Sequence, residues 1–322
     1  MMNLMDLEPY KMERTLKGYS LLIYGEPKSG KTYNSSKFEK SLILAFEIGY
    51  RACPGVMALP VNSWTEFKKV LRQLKDAQVK EKFYNICIDT VDLAFDACEK
   101  YICNVNGVDD IGKIPYGAGY GLLSKEFDEA LQLITRLDYG LILISHSKET
   151  TFTNENGIEY NKIVPTIPTR GRLICERLCD IIAYSRIVDT NEGAKTKLYL
   201  RGTPRFVAGS RFKYITDVID FTYERLVDAI GEAIDKQEQE TNDSSLFIDR
   251  QNKEEIKELD FDNLMDEFNS ITQTLMDISK SNGAKIIEKI EKIIGKGKKV
   301  NELDRSQVEL LDLINYELKE LI

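Results

Sequence analysis

The chain has 322 residues, of which 43% are hydrophobic and 30% are charged, and this composition is typical of a soluble globular protein. Its length accommodates one large α/β domain and a smaller unit. No apolar run approaches the roughly 20 residues of a membrane-spanning helix, and residues 1–14 contain no apolar segment of signal-peptide length. We therefore expect a cytoplasmic protein without membrane contact, and not a membrane or secreted protein.

The net charge of −8 is concentrated in one segment. Twelve acidic and four basic residues lie between Asp235 and Glu267, whereas the rest of the chain is neutral in sum. An acidic total argues against a nucleic-acid-binding protein, but a neutral remainder is compatible with a local basic surface.

Six cysteines are scattered along the chain without a C-x-x-C pair, and they are Cys53, Cys87, Cys98, Cys103, Cys175 and Cys179. Buried, reduced thiols of a cytosolic protein are the favoured interpretation. A four-thiolate metal site built from the last four of these cysteines is the alternative.

A phosphate-binding loop is predicted near the N-terminus. The sequence GEPKSGKT at residues 25–32 fits the pattern G-x-x-x-x-G-K-[ST], follows the apolar run Ser20–Tyr24 and precedes a helical segment. In such a loop, backbone N–H groups surround the phosphates, Lys31 reaches the outer phosphates and the Thr32 hydroxyl ligates Mg²⁺. The predicted nucleotide contacts are Gly25, Glu26, Pro27, Lys28, Ser29, Gly30, Lys31, Thr32 and Tyr33.

Three later strands end in polar side chains. Asp89 ends Ile86-Cys-Ile-Asp89 as in a Walker B strand, which predicts a second Mg²⁺ ligand. Glu47 is the best-placed carboxylate to position or deprotonate a water molecule, although a turn-capping role explains it equally well. His146, the only histidine, ends a buried strand where it can sense the γ-phosphate, although a lone histidine is usually structural. No N-K-x-D element follows Asp89, which favours ATP over GTP.

Between residues 19 and 233, apolar runs alternate with helical segments, which predicts an α/β fold with a mainly parallel sheet flanked by helices. The predicted strands are Ser20–Tyr24, Leu42–Glu47, Tyr84–Asp89, Gly140–His146, Asp180–Ile187 and Thr196–Arg201. The predicted helices are Lys31–Phe38, Trp64–Gln78, Asp92–Cys103, Leu122–Leu137, Gly171–Leu178 and Tyr223–Asp235. The last two strands are predicted to form an antiparallel hairpin.

The remainder is predicted to be a linker and a small all-α unit. Residues 236–258 are poor in apolar side chains and are expected to link a domain at 1–235 to a helical unit at 259–322. Within the linker, Leu246-Phe-Ile248 is either a docking segment or a contact with the main domain. Apolar residues at heptad spacing from Phe261 to Ile278 predict a short coiled coil or a bundle helix. Two further helices are predicted at Ala284–Ile294 and Glu302–Ile322, on either side of the basic turn at 295–299.

These motifs, in this order, resemble the RecA-like branch of the P-loop ATPases. The chain looks most like phage-encoded nucleotide-binding proteins of the AAA-domain type with a RecA-like core, which are linked to recombination and single-strand annealing. The resemblance covers about residues 15–230 and is carried by GEPKSGKT (25–32), LILAFEIG (42–49), NICIDT (85–90), LILISHSKE (141–149) and RGTPRFVAGSR (201–211). It implies a RecA-like P-loop core with Glu47 as the catalytic glutamate. It also places His146 at the γ-phosphate sensor position, which is usually glutamine.

The resemblance further implies two DNA-binding loops and an oligomer. The loops fall at about residues 106–121 and 147–169, where Tyr and Lys side chains suit base stacking and phosphate binding. The candidate contacts are Lys113, Tyr116, Tyr120, Lys148, Lys162, Arg170 and Arg172, and ordinary loop packing is the alternative for the tyrosines. RecA-like subunits complete a neighbour's ATP site with a basic residue. Arg211 and Lys213 are the favoured candidates, with ion pairing as the alternative.

Three functions follow from this interpretation. The first is an Mg-ATP-dependent ATPase that forms oligomers or filaments on single-stranded DNA in phage recombination or annealing. The second is a nucleotide-switched assembly or loader protein that recruits a replication partner through residues 236–322. A small-molecule kinase ranks last, because no arginine-rich lid follows Asp89.

Overall fold

The computed structural model describes residues 9–13, 16, 18–191, 193–241, 243–248 and 259–321. The chain divides into two compact units, Met1–Glu255 and Ile256–Ile322. None of the described helices is long and apolar enough to cross a membrane.

Within the described residues, the strands are β1 (Met12–Glu13), β2 (Ser20–Gly25), β3 (Ser41–Ala45), β4 (Ala58–Pro60), β5 (Asn85–Asp89), β6 (Gly140–Thr153), β7 (Glu159–Pro165), β8 (Ile181–Thr190), β9 (Gly193–Tyr199), β10 (Gly209–Ser210), β11 (Val218–Asp220) and β12 (Phe247–Ile248). The helices are α1 (Lys31–Ser35), α2 (Trp64–Gln73), α3 (Ala77–Lys82), α4 (Val91–Val105), α5 (Ala118–Arg136), α6 (Thr169–Leu178), α7 (Tyr223–Thr241), α8 (Phe261–Ile278), α9 (Asn282–Ile294) and α10 (Val308–Lys319).

The first unit is built on a mixed sheet with a parallel centre. Its strand order is β11-β9-β8-β2-β6-β5-β3-β4, with β7 paired to β6 and β10 paired to β8. The six strands from β8 to β4 are mutually parallel, whereas β7, β9, β10 and β11 are antiparallel to their partners. The predicted α/β fold with a mainly parallel sheet is therefore confirmed. Since β6 lies between β2 and β5, the carboxyl ends of these three strands meet at one edge.

Side-chain alternation places an apolar core on each face of the sheet. Leu22 of β2 and Ile86 of β5 face a core shared with α2, α4, α5 and α6. Leu21 and Ile23 of β2, with Cys87 of β5, face a second core that is closed by α7. The central strands are buried on both faces, which explains their nearly continuous apolar sequences.

The predicted loop at residues 147–169 is folded into a hairpin instead. β6 continues from His146 to Thr153 and pairs with β7 over seven residue pairs. Phe152 lies opposite Tyr160 with ring centroids 6.0 Å apart, a cross-strand aromatic pair that stabilises the hairpin. The turn is closed by Asn154, whose Oδ1 accepts hydrogen bonds from two backbone N–H groups. Sequence reasoning missed β7 because its first four residues, Glu159 to Lys162, are polar and do not form an apolar run.

The structure also differs from the predicted linker. Helix α7 continues to Thr241, and Phe247 in β12 pairs with Met12 in the parallel two-stranded sheet of β1 and β12. Residues 236–241 stay helical because they are mostly good helix formers and extend a helix that Leu226 and Ile230 fix in the core. The segment before residue 249 therefore belongs to the first unit, and residues 249–258 lie outside the described residues. Phe247 packs against the second core, which is the predicted contact with the main domain.

The second unit is a three-helix bundle. Helices α8, α9 and α10 enclose a core that includes Ile271, Ile290 and Ile314. The heptad positions of α8 face this core, except that Ile278 is 60% exposed, so α8 is a bundle helix. The last helix starts at Val308 and not at Glu302, because two 3-10 turns precede it, the second of them with a capping box formed by Asp304 and Gln307.

The core of the first unit allows a direct stability test. Phe127 of α5 is fully buried, and its ring centroid lies 5.9 Å from that of Trp64, the only tryptophan. We expect Phe127→Ala to lower the free energy of unfolding by about 3–5 kcal/mol, because it leaves a cavity beside Trp64. Urea denaturation followed by Trp64 fluorescence measures this change. The exposed Leu122→Ala on the same helix should stay within about 0.5 kcal/mol of wild type, and equal losses for both variants would contradict this packing.

Candidate nucleotide-binding site

A cavity of about 440 Å³ lies at the edge where the parallel strands end. Its wall combines the phosphate loop with the polar strand ends, and the lining residues are Pro27, Lys28, Gly30, Lys31, Thr32, Tyr33, Glu47, Gly49, Ala52, Cys53, Asp89, Ile144 and His146. The fold thus brings Lys31, Thr32, Glu47, Asp89 and His146 into one site, although as many as 115 positions separate them in the sequence.

The backbone of the phosphate loop depends on two glycines. A Cβ atom at Gly25 would lie 2.1 Å from the carbonyl oxygen of Ser185, which is its register partner on β8. Gly30 has a φ of 78°, in the left-handed region that favours glycine, and α1 begins at the next residue. Ser29, which is 1% exposed, fixes the loop through a 3.0 Å hydrogen bond between its hydroxyl and that of Ser185.

Lys31 is a buried cation that contacts only neutral groups of the loop. Its side chain is 5% exposed, and Nζ donates to the carbonyl oxygens of Gly25 at 3.0 Å and Glu26 at 2.7 Å. Burial lowers the pKa of Lys31 to about 8, although the nearby carboxylates of Asp89 and Glu47 oppose this shift. An anionic phosphate group in the cavity would supply the countercharge that burial removes.

Thr32 and Asp89 form an oxygen-rich pair. The Thr32 hydroxyl donates to Asp89 Oδ2 at 2.7 Å, and Asp89 is 3% exposed. Burial raises the pKa of Asp89. A hydroxyl and one carboxylate, with phosphate oxygens and water as further ligands, fit the preference of Mg²⁺ for oxygen donors. The described residues contain no group of three or more His, Cys, Asp or Glu side chains that could hold a metal ion unaided.

Glu47 and His146 are in contact at the opposite wall of the cavity. His146 Nε2 lies 3.1 Å from Glu47 Oε2, and the tautomer with a proton on Nε2 would donate a hydrogen bond to this oxygen. The backbone of each residue is fixed separately. The N–H of Glu47 donates to the Asp89 carbonyl at 3.0 Å, and His146 is paired with Gly25 of β2. The sequence predicted that Glu47 ends a strand. In the structure, Glu47 lies two residues beyond the end of β3.

A buried carboxylate below His146 was missed by sequence reasoning. Asp92, in the first turn of α4, accepts hydrogen bonds from the hydroxyls of Ser145, at 3.0 Å, and Thr166. The Thr166 N–H donates to the His146 carbonyl at 3.0 Å, so this cluster joins α4 to β6 next to the sensor position. Burial raises the pKa of Asp92. The signal was Ser145, a buried polar residue that directly follows the apolar run Leu141–Ile144 of β6.

Three of the predicted DNA contacts lie in the loop before α5 or on α5 itself. Tyr116 is fully exposed, and Lys113 pairs with Asp109 at 2.5 Å on the same surface loop. Tyr120 lies on α5, where the guanidinium of Arg170 covers its ring at 4.7 Å from the centroid.

The other basic candidates lie on the β6–β7 hairpin and on α6. Lys148 is exposed on β6 and Lys162 is half-buried on β7. The side chain of Arg172 is only 15% exposed and lies 3.6 Å from Glu176, a position that does not fit the predicted DNA contact because the charge is buried and paired.

The two residues predicted to act on a neighbouring subunit are ion-paired within the chain. Arg211 donates to Asp180 at 2.8 Å and to the Arg177 carbonyl at 2.7 Å. Lys213 donates to Glu240 at 2.6 Å. These contacts fit the alternative interpretation, in which both residues stabilise the fold of the first unit.

All six cysteines are free and buried, as the favoured interpretation predicted. Burial raises the pKa of each thiol. Cys98, Cys103, Cys175 and Cys179 do not form a metal-binding cluster within the described part of the chain.

Residues 17–212 match the AAA domain family, which is more than half of the chain, and the protein belongs to this family. Because the family comprises nucleotide-binding ATPase domains, we class the protein as a nucleotide-binding ATPase. The chain is also 34% identical over 323 residues to the "SPbeta prophage-derived uncharacterized protein YorG" of Bacillus subtilis (strain 168). This alignment covers 95% of the chain and 94% of that relative, so the similarity extends through both units.

The buried carboxyl of Asp92 predicts a pH effect on stability. Its pKa is raised above the ordinary value of 3.8, so the unfolded chain releases this proton first as the pH rises. Ionisation therefore favours unfolding between that value and the raised pKa, and the contribution of Asp92 to stability falls across this range. Since Asn cannot ionise, we expect the free energy of unfolding of Asp92→Asn, relative to wild type, to increase as the pH rises above about 4.

Urea denaturation at several pH values measures this difference. Asp96→Asn, at an exposed position on the same helix, is the matched control for the loss of one carboxyl group. A difference between Asp92→Asn and wild type that stays constant with pH would contradict the burial of an ionisable group at this site.

Proposed function

We propose that the protein is a RecA-like ATPase that hydrolyses Mg-ATP and acts on single-stranded DNA in phage recombination or annealing. The convergence of Lys31, Thr32, Asp89, Glu47 and His146 on one cavity carries the hydrolytic part of this proposal. These side chains supply a cation for the phosphates, oxygen ligands for a metal, and a carboxylate with a proton donor beside it.

In this proposal the phosphates of ATP lie in the loop and replace the two carbonyl oxygens that Lys31 contacts in the structure. Thr32 and Asp89 would hold Mg²⁺, which when bound neutralises charge on the transferred phosphoryl group. Glu47 orients the attacking water and accepts its proton at a carboxylate oxygen. His146 holds Glu47 through Nε2–H until the γ-phosphate arrives, and it then donates this hydrogen bond to a phosphate oxygen.

Strand β6 supports the coupling of this chemistry to DNA. It runs without a break from the buried Leu141 through His146 to the exposed hairpin residue Lys148. A change in the hydrogen bonding of His146 therefore acts on the same strand that carries a candidate phosphate contact. The Asp92 cluster at the base of the hairpin couples this strand to α4.

The exposed aromatic residues support single-stranded DNA as the ligand. Tyr116 is fully exposed, with a φ of 59° that is unusual for a residue with a side chain, and Tyr120 and Arg170 form a cationic aromatic pair. Such groups stack on bases without sequence preference, because every base has a π face. Packing within the loop does not account for a side chain as exposed as Tyr116.

The biological setting is proposed from the relative. The name of that protein records a prophage origin, and over nearly the whole chain the two are similar. We propose that the present protein is phage-encoded and acts in the host cytoplasm as a homo-oligomer or filament on DNA. A replication or recombination partner would bind through the C-terminal region.

The hydrolytic roles can be separated by mutation. We expect Lys31→Ala to abolish ATP binding and turnover, since it removes the phosphate-loop cation. Glu47→Gln should lower kcat about 10²–10⁴-fold while ATP binding is retained, because the amide cannot accept a proton. Steady-state hydrolysis and calorimetric ATP binding measure both effects, with the exposed Glu39→Gln as the control. Wild-type turnover in Lys31→Ala would overturn the assignment.

The DNA-dependent part has its own test. We expect single-stranded DNA to stimulate ATP turnover of the wild type, and Tyr116→Ala to reduce both DNA affinity and stimulation, with basal turnover unchanged. Loss of one stacked aromatic should weaken binding by about 1–3 kcal/mol. Tyr316→Ala, at an exposed tyrosine of the second unit, is the control. If DNA neither binds at low salt nor changes turnover, the nucleotide-switched assembly or loader protein becomes the better function.

A further inference from the structure

The second unit has a basic side that the nucleotide site does not use. Lys285, Lys289 and Lys292 follow one another at spacings of four and three on α9, which places them on the same helix face. The turn after α9 adds Lys296, Lys298 and Lys299, and Lys280 precedes the helix. We define the basic face as the six exposed lysines of this segment, which are Lys280, Lys285, Lys292, Lys296, Lys298 and Lys299.

These lysines are unpaired although the unit is rich in carboxylates. Helix α8 carries four acidic residues and no basic one, and α10 carries three acidic residues and one lysine. Cations close to these helices are paired, as in the contacts of Lys289 with Glu317, Lys319 with Glu267 and Arg305 with Asp262. None of the ammonium groups of the basic face forms an ion pair among the residues that the structure describes, although the charge of Lys292 acts on the carboxyl group of Glu317.

Helix stabilisation accounts for only part of this pattern. A cation in the last turn of a helix interacts favourably with the helix dipole, and Lys292 satisfies that description. Lys296, Lys298 and Lys299 lie beyond the C-cap residue Gly295, where this interaction does not apply. Their turn is nevertheless ordered, because the Gly297 N–H donates to the Glu291 carboxylate at 2.8 Å.

The chemistry of the basic face indicates the class of ligand. Residues 280–299 contain seven lysines, two glutamates, no arginine and no aromatic residue. Without arginine or aromatic groups this surface lacks the usual means to recognise bases, whereas ammonium groups bind phosphates as point charges. Six exposed lysines within residues 280–299, interrupted on the helix by the exposed Glu288, suit a polyanion such as a phosphate backbone.

We propose that the basic face of the C-terminal unit binds the phosphate backbone of DNA, independently of sequence and of nucleotide. This inference depends on the proposed function in one respect, which is that the polyanion is DNA. It adds a second DNA contact, so that the chain holds DNA through phosphates at this unit and through stacking at the first unit.

The test compares two triple variants of the full chain that lose the same charge. Lys296→Gln, Lys298→Gln and Lys299→Gln remove half of the basic face, and Lys69→Gln, Lys100→Gln and Lys236→Gln remove three exposed lysines of the first unit. Binding of a labelled single-stranded oligothymidine is followed by fluorescence anisotropy without nucleotide, over a salt series. We expect the first variant to bind roughly tenfold more weakly at low salt, with a slope of log K against log salt reduced by about 2. The second variant should resemble the wild type.

Each other outcome is decisive. If the wild type binds DNA and both variants match it in affinity and salt slope, the inference is overturned while the proposed function stands. If the wild type binds no DNA at low salt, both proposals fail. If the first variant retains DNA binding but loses self-association in light scattering without DNA, the basic face serves a second copy of the chain, and the inference is again overturned.

Discussion

The parallel register of β2, β6 and β5 is the constraint on which the site depends. Gly25 is paired with His146, and Asp89 is paired with Ile144, two residues before that histidine. A shift of one residue in either pairing would invert the side-chain alternation and move the apolar residues of the strand to the opposite core. The same packing that fills the two cores therefore places the phosphate loop, the candidate sensor and the candidate metal ligand at one edge.

This arrangement buries the charged groups of Lys31, Asp89 and Asp92, and the surrounding protein compensates their charges only in part. Burial lowers the pKa of Lys31 and raises the pKa values of Asp89 and Asp92, so the environment opposes both the cation and the anions. Removal of a charged group from water is costly unless a partner compensates. A triphosphate and a divalent cation would add charges of both signs next to these groups. Part of the binding free energy thus comes from relieving unfavourable burial, which links ligand binding to the stability of the first unit.

The parts of the structure that depend on a local sequence pattern could be predicted from the sequence. The phosphate loop is identified by eight consecutive residues, and the buried strands by apolar runs that end in Asp89 or His146. The hairpin of β6 and β7 and the end of α7 were not predictable in this way, because polar segments owe their conformation to neighbours that are distant in sequence. Asp92 was missed for the same reason, since its partners Ser145 and Thr166 lie 53 and 74 positions away.

Strand β6 joins the candidate nucleotide site to the exposed hairpin. The strand has 14 residues, and its first part, up to Ser145, is buried between β2 and β5 and cannot move without disrupting both cores. Beyond His146 it is paired with β7, and Ile163 of β7 is bonded in turn to the backbone of Arg205 and Val207. Asp92 fixes the base of the hairpin, because its hydrogen bonds reach Ser145 on β6 and Thr166 just after β7. Any coupling from His146 to the hairpin would therefore pass through a segment that is held at Asp92 on one side and at Ile163 on the other.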